Sequence, residues 1–480
     1  MLRSWDFVIE LNQRSELTIH MQIVQKIIEE IQLGRLIAGQ AMPGTRDLAH
    51  SLKLNRKTII YAYEELAAQG WLVTQPRRGT FVNERIPLIF KNQTKSQASS
   101  TFTPRPQQER NDFRPLLDLN DGVPDTRLIP FEILSRAFRR AITYTSRANR
   151  LGYDDPRGAL TLRNSISKML NMERALHVDV NNICIVRGSQ MGIFLVSKII
   201  SQLGDNVVFE NLSYHPAREA FISCGANILT VGLDGEGIDT DALESLCKKN
   251  KIRAVYVTPH HQFPTSVMMT AERRLKMLML AEKYDFLILE DDYDHEFHFS
   301  HHPIFPLAST DRASRVVYVG SLSKVLAPGL RVGYLVSTKK FIDRCAEEIR
   351  LIDRQGNAVT ELAVAELLDS GEVKRHIRKS HRIYNERRLY FANLIEKDLK
   401  ELIDFNIPDG GLAFWLKLKK QIDPHKFEAL LFQQGIRLSK ANIFYIEEKM
   451  CFALRIGYGS LDKTQIQKCI TALKFVLSSI

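Results

Sequence analysis

The sequence predicts two folded units: a small N-terminal unit of helices with one β-hairpin, and a larger α/β unit with a mostly parallel central sheet. Residues 86–115 are rich in Ser, Gln, Thr and Pro and lack hydrophobic periodicity, which indicates a flexible linker. Beyond the linker, short apolar runs such as FLILED and VVYVG alternate with amphipathic stretches of helix length. This alternation is typical of a parallel sheet covered by helices. We therefore expect the two units at residues 1–85 and 116–480.

Composition excludes several classes of protein. With 44% hydrophobic and 25% charged residues among 480, the chain has the apolar content of a globular protein and is not disordered as a whole. It has no apolar run near the roughly 18 residues of a membrane span, and its acidic start is unlike a signal peptide, so we expect a cytoplasmic protein without membrane contact. None of the six cysteines forms a CxxC pair, which argues against a zinc knuckle or a disulfide framework.

The formal net charge of +11 favours a polyanionic partner. Residues 1–85 nevertheless contain 11 Lys or Arg and 9 Asp or Glu, so the excess charge is not an N-terminal basic tail. Any contact with nucleic acid therefore depends on where particular residues are placed.

The N-terminal unit has the pattern of a winged helix-turn-helix. Apolar residues recur at three- and four-residue intervals over residues 18–33, which predicts a first helix that ends at Gly34. Thr45 is expected to cap a short second helix, and a third helix follows from about residue 56 to residue 69. Two short β-runs, WLVTQ and GTFV, then flank a tip with two arginines.

This pattern places polar residues where double-stranded DNA would meet them. The start of the third helix offers backbone N–H groups to a phosphate, and its first turns reach base edges in the major groove. The hairpin tip would enter a minor groove or contact phosphates. The candidate DNA-binding residues are Arg56, Lys57, Thr58 and Tyr61 on the helix and Arg77 and Arg78 on the tip. The alternative is an exposed helix start and a tip that only adds solubility.

Residues 16–83 resemble the GntR family of bacterial regulators. The similarity includes GRLIAGQAMPGTRDLA, NRKTIIYAYEELAAQGWL and RRGTFV. It implies DNA contacts for Arg46, Arg56, Thr58 and Gly79, whereas Lys57 and Tyr61 are candidates from helix geometry alone.

The most informative segment of the larger unit is VVYVGSLSKVLAPGLRVGYLV. A lysine just past a strand, partly desolvated and close to other cations, can have its pKa lowered enough to form a Schiff base with an aldehyde. Lys324 stands in this position, and Ser321, Ser323 and Arg331 are donors suited to a phosphate monoester. The combination predicts pyridoxal 5′-phosphate (PLP) as the cofactor.

Two further segments complete the candidate cofactor site. In RGSQMGIFL, Ser189 and Gln190 begin a predicted helix directly after a strand, where backbone N–H groups bind phosphate. At the end of strand FLILE, Asp291 can keep a pyridine nitrogen protonated, and Tyr293 can hydrogen-bond the O3′ oxygen of the ring. The alternatives are a simple helix cap for the first segment and a solvated strand end for the second.

A metal site is the competing interpretation of the same region. The segment DDYDHEFHFSHHP contains His295, His298, His301 and His302 beside several acids. These histidines do not follow the ligand spacing of a helical metal site, and two of them precede a proline-rich loop. We therefore predict no metal here.

From Leu117 to the end, the sequence is similar to the fold type I aminotransferases. The similarity includes LGYDDPRGALTLRNSIS, LEDDYDHEF, GSLSKVLAPGLRVGY and ALRIGYGSL. A GntR-like unit joined by a linker to such a domain is the layout of the MocR/GabR subfamily of transcriptional regulators, and HQFPT and EDDYDHEF also resemble that subfamily. The resemblance implies a PLP-dependent transferase domain of fold type I that forms a homodimer.

The same resemblance implies roles for single residues. Lys324 would carry the cofactor as a Schiff base, Tyr214 would stack on its ring, and Arg455 would bind an effector carboxylate. For Arg455 the alternative is a surface arginine on a strand end. Tyr153 would reach the phosphate of a neighbouring subunit. Several residues depart from the family pattern and leave the effector open: Leu212, Ser213, His215, Pro216 and Ser266.

Two functions are compatible with the sequence. The first is a PLP-dependent, DNA-binding transcriptional regulator that senses an amino compound, or PLP itself, through Lys324, and whose homodimer binds paired DNA half-sites. The second is a working aminotransferase with an accessory N-terminal unit, since the same residues permit transamination. The complete winged helix-turn-helix favours the regulator.

Overall fold

The computed structural model describes residues 17–86, 117–119, 122–148, 152–299, 304–438 and 451–480, together with residues 9, 11, 12, 15 and 444. The chain divides into two compact units, Met1–Arg110 and Asn111–Ile480. The predicted linker at residues 86–115 lies, except for residue 86, outside the described residues, so its boundaries stay predictions.

The N-terminal unit contains three helices and a two-stranded hairpin. They are α1 (Ile19–Gln32), α2 (Thr45–Leu52), α3 (Arg56–Ala68), β1 (Leu72–Gln75) and β2 (Gly79–Val82). The apolar stripe of α1 packs on α3, and Ile23, Ile27, Ile59 and Leu66 lie in one buried cluster. At the start of α3, the Asn55 side chain accepts a hydrogen bond from the backbone N–H of Lys57 at 2.9 Å. The predicted winged helix-turn-helix is therefore present.

The prediction that Thr45 caps the second helix was wrong by one position. α2 begins at Thr45 itself, and Gly44 is the N-cap residue, with no side-chain cap. A Cβ atom at Gly44 would lie only 2.8 Å from Oδ2 of Asp47, so the acidic side chain of the first turn occupies the space at the helix start. The Thr45 hydroxyl instead accepts a hydrogen bond from Nε of Arg56 at 3.3 Å.

The larger unit alternates helices and strands along the chain. Its strands are β3 (Leu117–Leu119), β4 (Ile183–Val186), β5 (Asn206–Glu210), β6 (Asn227–Val231), β7 (Leu233–Asp234), β8 (Gly237–Ile238), β9 (Ile252–Val257), β10 (Leu287–Asp292), β11 (Val316–Ser321), β12 (Gly333–Val336), β13 (Ile403–Phe405), β14 (Ala413–Ile422), β15 (Ile436–Leu438) and β16 (Cys451–Gly457). Its helices are α4 (Phe131–Arg147), α5 (Leu160–Arg174), α6 (Ser189–Ile200), α7 (His215–Ser223), α8 (Thr240–Lys249), α9 (Ala271–Tyr284), α10 (Leu307–Thr310), α11 (Lys339–Ile352), α12 (Ala358–Asp369), α13 (Glu372–Asp398), α14 (Pro424–Gln433) and α15 (Lys463–Ser478).

A seven-stranded sheet forms the centre of this unit, in the order β4-β12-β11-β10-β9-β5-β6. Every strand runs in one direction except β12, which is antiparallel to both of its neighbours. Val207 and Phe209 belong to one buried apolar cluster and Val208 to another, because successive strand residues face opposite sides of the sheet. Both faces are covered, which explains the continuous apolar runs in the sequence. The prediction of a mostly parallel α/β sheet is confirmed.

The C-terminal part of the unit adds a second, smaller layer. Strands β13, β14 and β16 form an antiparallel sheet, and their apolar residues pack with those of α13 and α15 in a separate cluster. Within this sheet Arg455 of β16 lies opposite Trp415 of β14. None of the helices in the described part of the chain is both long and apolar enough to span a membrane.

Candidate functional site

Five of the candidate cofactor residues lie at or just after the carboxyl ends of β10 and β11, namely Asp291, Tyr293, Ser321, Ser323 and Lys324. These strands are parallel neighbours, and Asp292 pairs with Gly320 in their register. Asp291 is therefore one residue from the end of β10, while Ser321 ends β11 and Lys324 follows in the next turn. In open α/β sheets, ligands bind at this edge of the sheet.

Asp291 presents a buried oxygen without a partner. Its Oδ2 accepts a hydrogen bond from the Tyr256 hydroxyl at 2.7 Å, whereas Oδ1 makes no hydrogen bond with any described residue. Burial raises the pKa of Asp291 to about 7, although the Tyr256 hydrogen bond and the charge of Lys324 both lower it. A buried acceptor of this kind fits the protonated ring nitrogen of a pyridine cofactor, so the residues present are compatible with PLP.

Lys324, Tyr293 and Arg455 lie close together beside this carboxylate. Nζ of Lys324 is 4.3 Å from the ring centroid of Tyr293. The Tyr293 hydroxyl donates a hydrogen bond to the backbone carbonyl of His261 at 2.9 Å, and Nη2 of Arg455 lies 3.5 Å from the same hydroxyl oxygen. Burial holds the pKa of Tyr293 well above its usual range, so this phenol is neutral.

Arg455 is buried, with only 2% of its surface exposed, so the alternative of a surface arginine is wrong. Its guanidinium group donates to the backbone carbonyl of Pro264 and to the Ser266 hydroxyl at 3.3 Å, and its Cζ lies 4.5 Å from the ring centroid of Phe263. Nε has no hydrogen-bond partner, and no carboxylate of the described residues lies within 4.0 Å of the guanidinium nitrogens. Arg455 stands on a strand, as predicted. Its charge is buried because β16 packs against Pro264 and Ser266, which lie about 190 residues earlier in the chain.

The start of α6 meets Arg331. Gly188 is the N-cap residue of α6 and has a φ of 78°. A Cβ atom at this position would lie 2.5 Å from Nη2 of Arg331, so only glycine leaves room for the guanidinium group. The same Nη2 donates to the backbone carbonyl of Arg187 at 3.0 Å. Cationic and backbone N–H donors are thus brought together as the sequence predicts for a phosphate site.

Two further polar atoms near these elements are buried without hydrogen-bond partners among the described residues: Oγ of Ser323 and Oε1 of Gln190. The backbone N–H of Ser323 donates to Oγ of Ser321 at 3.2 Å, and Nε2 of Gln190 donates to the Pro216 carbonyl at 3.0 Å. Ser189 is the first residue of α6. Unsatisfied buried groups of this kind are expected where a polar ligand binds.

Tyr214 and Tyr153 differ in their surroundings. Tyr214 immediately precedes α7, and its ring packs edge-on against Phe263 with the centroids 5.2 Å apart. Tyr153 is 79% exposed, and its ring lies 4.4 Å from Cζ of Arg354. The role of Tyr153 at a neighbouring subunit remains a prediction.

The predicted DNA-binding residues all lie on the surface of the N-terminal unit except Thr58, which is half-buried. Arg46 is in α2, and the exposed residues of the first two turns of α3 include Tyr61, which is 61% exposed. The tip between β1 and β2 contains Arg77 with a φ of 61° and Gly79 with a φ of 113°, and the exposed Arg78 lies beside them. The cations are therefore available to a partner.

Comparison with known proteins decides the family. Residues 114–473 match the family model of aminotransferase class I and II, and residues 20–82 match that of bacterial regulatory proteins of the gntR family. The chain belongs to the aminotransferase class I and II family. The predicted resemblance to GntR regulators fused to an aminotransferase domain, the fold type I architecture and the PLP cofactor are thereby confirmed.

Relatives of this aminotransferase-family chain share its whole length. The uncharacterized HTH-type transcriptional regulator YdfD of Bacillus subtilis (strain 168) is 28% identical, and the match covers 98% of each chain. The probable rhizopine catabolism regulatory protein MocR of Rhizobium meliloti is 25% identical over 97% of this chain and 94% of its own. Among solved structures, the kynurenine aminotransferase of Pyrococcus horikoshii is 27% identical with a TM-score of 0.71, covering 77% of this chain and 92% of its own.

Sequence reasoning missed some residues of this aminotransferase-like site. Tyr256, the partner of Asp291, appears in the sequence only as one hydroxyl-bearing residue in an apolar strand. His260, from the segment TPHHQFP, lies with His295 and His298 in a cluster that could hold a metal ion. The prediction of no metal considered only the spacing of histidines within one segment, and that argument does not apply to ligands from two segments. Burial lowers the pKa of His260, and it lowers the pKa of His298 to about 3. His301 and His302 lie outside the described residues.

Proposed function

We propose that this protein is a DNA-binding transcriptional regulator whose PLP-binding unit senses an amino compound, or PLP itself, through Lys324. The observation that carries the proposal is that one chain contains both a winged helix-turn-helix with exposed cations and a cofactor site in which a buried Asp291 oxygen has no hydrogen-bond partner among the described residues. A working aminotransferase has no evident need for the first of these features.

The cofactor supplies an electrophilic aldehyde on a ring that stabilises negative charge when its nitrogen is protonated. Asp291 would hold that nitrogen through Oδ1, since Oδ2 is already bound by Tyr256. The Lys324 amine, next to the Tyr293 ring, would bind the aldehyde carbon. Tyr293 would face the O3′ oxygen, and Tyr214 would stack on the ring. Burial of Asp291 excludes water, which strengthens its interaction with a cationic ring.

The phosphate would be bound where α6 begins and β11 ends. The residues proposed to surround it are Ser189, Gln190, Ser321, Ser323 and Arg331. Support comes from the unpartnered Oγ of Ser323 and from the space at Gly188 into which the Arg331 guanidinium fits. A guanidinium group and a helix N-terminus together bind a phosphate dianion better than either does alone.

Arg455 would bind the carboxylate of an amino-acid effector. The buried Arg455 guanidinium has no carboxylate partner within 4.0 Å among the described residues, and it attracts an anion strongly because few water molecules screen its charge. The effector would therefore carry both an amine for the cofactor and a carboxylate for Arg455. Binding of the effector shifts the protein from one conformation to another only if the effector has a different affinity for each conformation.

We further propose a homodimer that binds paired half-sites of a promoter. Arg46, Arg56, Lys57, Thr58 and Tyr61 would contact DNA from α2 and α3. Arg77, Arg78 and Gly79 would contact it from the hairpin tip. Tyr153 of one subunit would approach the phosphate of the other.

The test compares full-length PLP-loaded protein with Lys324→Ala, and uses Lys340→Ala, an exposed lysine of α11, as the matched control. Affinity for DNA from upstream of its own gene is measured by fluorescence anisotropy at two salt concentrations, with and without amino acids. We expect sequence-preferring binding whose response to the effector or to PLP is lost only in Lys324→Ala. Sustained product formation from amino and keto acids without sequence-preferring DNA binding would instead establish an aminotransferase.

A further inference from the structure

Four histidine side chains gather beside the end of β10, next to but distinct from the cofactor residues. His260 and His261 follow β9, whereas His295 and His298 follow β10. The ring centroids of His260 and His295 are 4.6 Å apart, and that of His298 lies 5.7 and 5.5 Å from them. Asp292 contacts this cluster, while Asp291 contacts Tyr256, because successive strand residues point to opposite faces.

One nitrogen from each of His260, His295 and His298 can be chosen so that all three lie within 4.8 Å of one another. Nitrogens bound to one tetrahedral zinc ion at about 2.0–2.1 Å are roughly 3.3–3.5 Å apart. Binding one ion therefore requires the nitrogens to approach each other by up to about 1.5 Å through rotation of the rings. His260 is 1% and His295 5% exposed, whereas His298 is half-buried, so two of the three rings are shielded from bulk water.

The contacts of His260 give the most direct argument for a positive charge beside this cluster. Its Nε2 is hydrogen-bonded to the backbone carbonyl of Ile304, and since a carbonyl only accepts, the proton of the neutral ring is on Nε2. Nδ1 then presents a lone pair, yet it lies 3.4 Å from Oδ1 of Asp292, and both atoms are buried without a hydrogen-bond partner in the part of the chain that the structure describes. Two buried acceptors that face each other repel unless a proton or a metal ion lies between them.

The other contacts around Asp292 also favour a positive charge at this cluster. Nδ1 of His295 lies 3.0 Å from Oδ2 of Asp292, which also accepts a hydrogen bond from the Tyr318 hydroxyl at 2.5 Å, and Nε2 of His298 has no hydrogen-bond partner among the described residues. Arg174 contacts both Asp292 and Glu296, and Arg274 interacts electrostatically with Asp292 and Glu290, so two guanidinium groups offset three carboxylates in this buried region. A further positive charge is thus electrostatically favourable.

We propose that His260, His295 and His298 bind one divalent transition-metal ion of the zinc class, with the Asp292 carboxylate beside it. Neutral imidazoles are ligands for zinc, copper and nickel, whereas magnesium and calcium prefer oxygen. The ion ties the turn after β9 to the turn after β10. Since Asp291 and Tyr293 flank Asp292, the ion also fixes the backbone that positions the PLP contacts. The site is independent of whether the protein regulates transcription.

The first experiment uses the full-length protein, freed of metal with a chelator and of unbound PLP by dialysis. Zn²⁺ is titrated, and bound metal is counted by elemental analysis. Co²⁺ is added separately because its visible d–d absorption reports coordination number. We expect about one Zn²⁺ per chain and a tetrahedral Co²⁺ spectrum that Zn²⁺ abolishes. Absence of stoichiometric metal, or a Co²⁺ spectrum of six-coordinate aqueous type, overturns the proposal.

The second experiment assigns the ligands. His298→Gln changes the least buried of the three rings and His260→Gln the most informative one, while His177→Gln changes an exposed histidine as a control. We expect the two ligand variants to lower Zn²⁺ affinity by more than about tenfold, with the control unchanged. Undiminished binding in both ligand variants refutes the assignment. Should both variants misfold, X-ray absorption of zinc in the unaltered protein decides, since imidazole ligands support the site and thiolate or all-oxygen ligands refute it.

Discussion

Replacing Tyr256 by phenylalanine is a sharp test of the cofactor geometry, because it removes one hydroxyl and little else. The ring is 1% exposed and stacks on Phe209 with the centroids 5.0 Å apart and an angle of 24° between the planes. Phenylalanine keeps that stacking. The variant lacks only the 2.7 Å hydrogen bond to Oδ2 of Asp291.

The size of the effect follows from the protonation of Asp291. Its pKa is about 7 without cofactor, and the Tyr256 hydrogen bond lowers it, so the variant has a still higher pKa. Because a pyridinium nitrogen needs the ionised carboxylate, PLP affinity falls as pH decreases below the pKa, and in the variant this fall begins at higher pH. A hydrogen bond to a charged group contributes about 1.5–3 kcal/mol and one to a neutral group about 0.5–1.5 kcal/mol, a difference of about 1–1.5 kcal/mol.

At about pH 6, where Asp291 is protonated in the cofactor-free protein, this difference corresponds to about 5- to 12-fold weaker PLP binding in Tyr256→Phe. At about pH 9 the carboxylate is ionised before PLP binds, the hydrogen bond is present in both states, and the loss of affinity shrinks toward zero. PLP is titrated into cofactor-free protein across this range, with Tyr284→Phe as the control, since the Tyr284 hydroxyl bonds Glu244 on another helix. Equal affinities at low pH, or a loss of affinity that grows with pH, would refute the role given to Asp291.

Three other predictions concern stability, the effector and DNA. Burial raises the pKa of Glu210 to about 8 from an ordinary 4.5, so the stabilisation from its protonated form is full below about pH 4.5 and disappears as pH rises through 8. The free energy of unfolding of the wild type, measured relative to that of Glu210→Gln, should therefore fall between these pH values. A difference that stays constant with pH contradicts this prediction. Arg455→Leu should abolish the response to carboxylate-bearing amino compounds in the anisotropy assay, whereas Arg437→Gln, at an exposed arginine, should not. Replacing Arg77 and Arg78 by alanine should weaken binding to all DNA sequences alike. Titrations at several salt concentrations should show that the slope of log binding constant against log salt concentration falls in magnitude by about 1 for each phosphate that the tip no longer neutralises. An unchanged slope would show that the hairpin tip does not contact DNA.

Local sequence patterns were sufficient to predict most helices and strands and to propose the main cofactor-binding residues. Hydrophobic spacing predicts α1, and the apolar runs predict β9, β10 and β11, because periodicity reflects which faces are buried. The turn before residue 56 predicts the start of α3. Asp291 and Lys324 could be proposed as cofactor partners since both directly follow such runs, and strand ends meet at one edge of a parallel sheet. The exact start of α2 was missed by one residue because a capping preference does not fix a helix end to a single position, and the N-cap residue is Gly44.

Contacts between distant segments were decided by the tertiary structure alone. Arg455 becomes a buried cation only when β16 packs against the turn that contains Pro264, and the meeting of His260 with His295 and His298 depends on the adjacency of β9 and β10. Sequence determines which side chains are available and on which local element each one stands. Burial, hydrogen-bond partners and therefore charge state depend on which elements pack together, and a linear pattern does not contain that information.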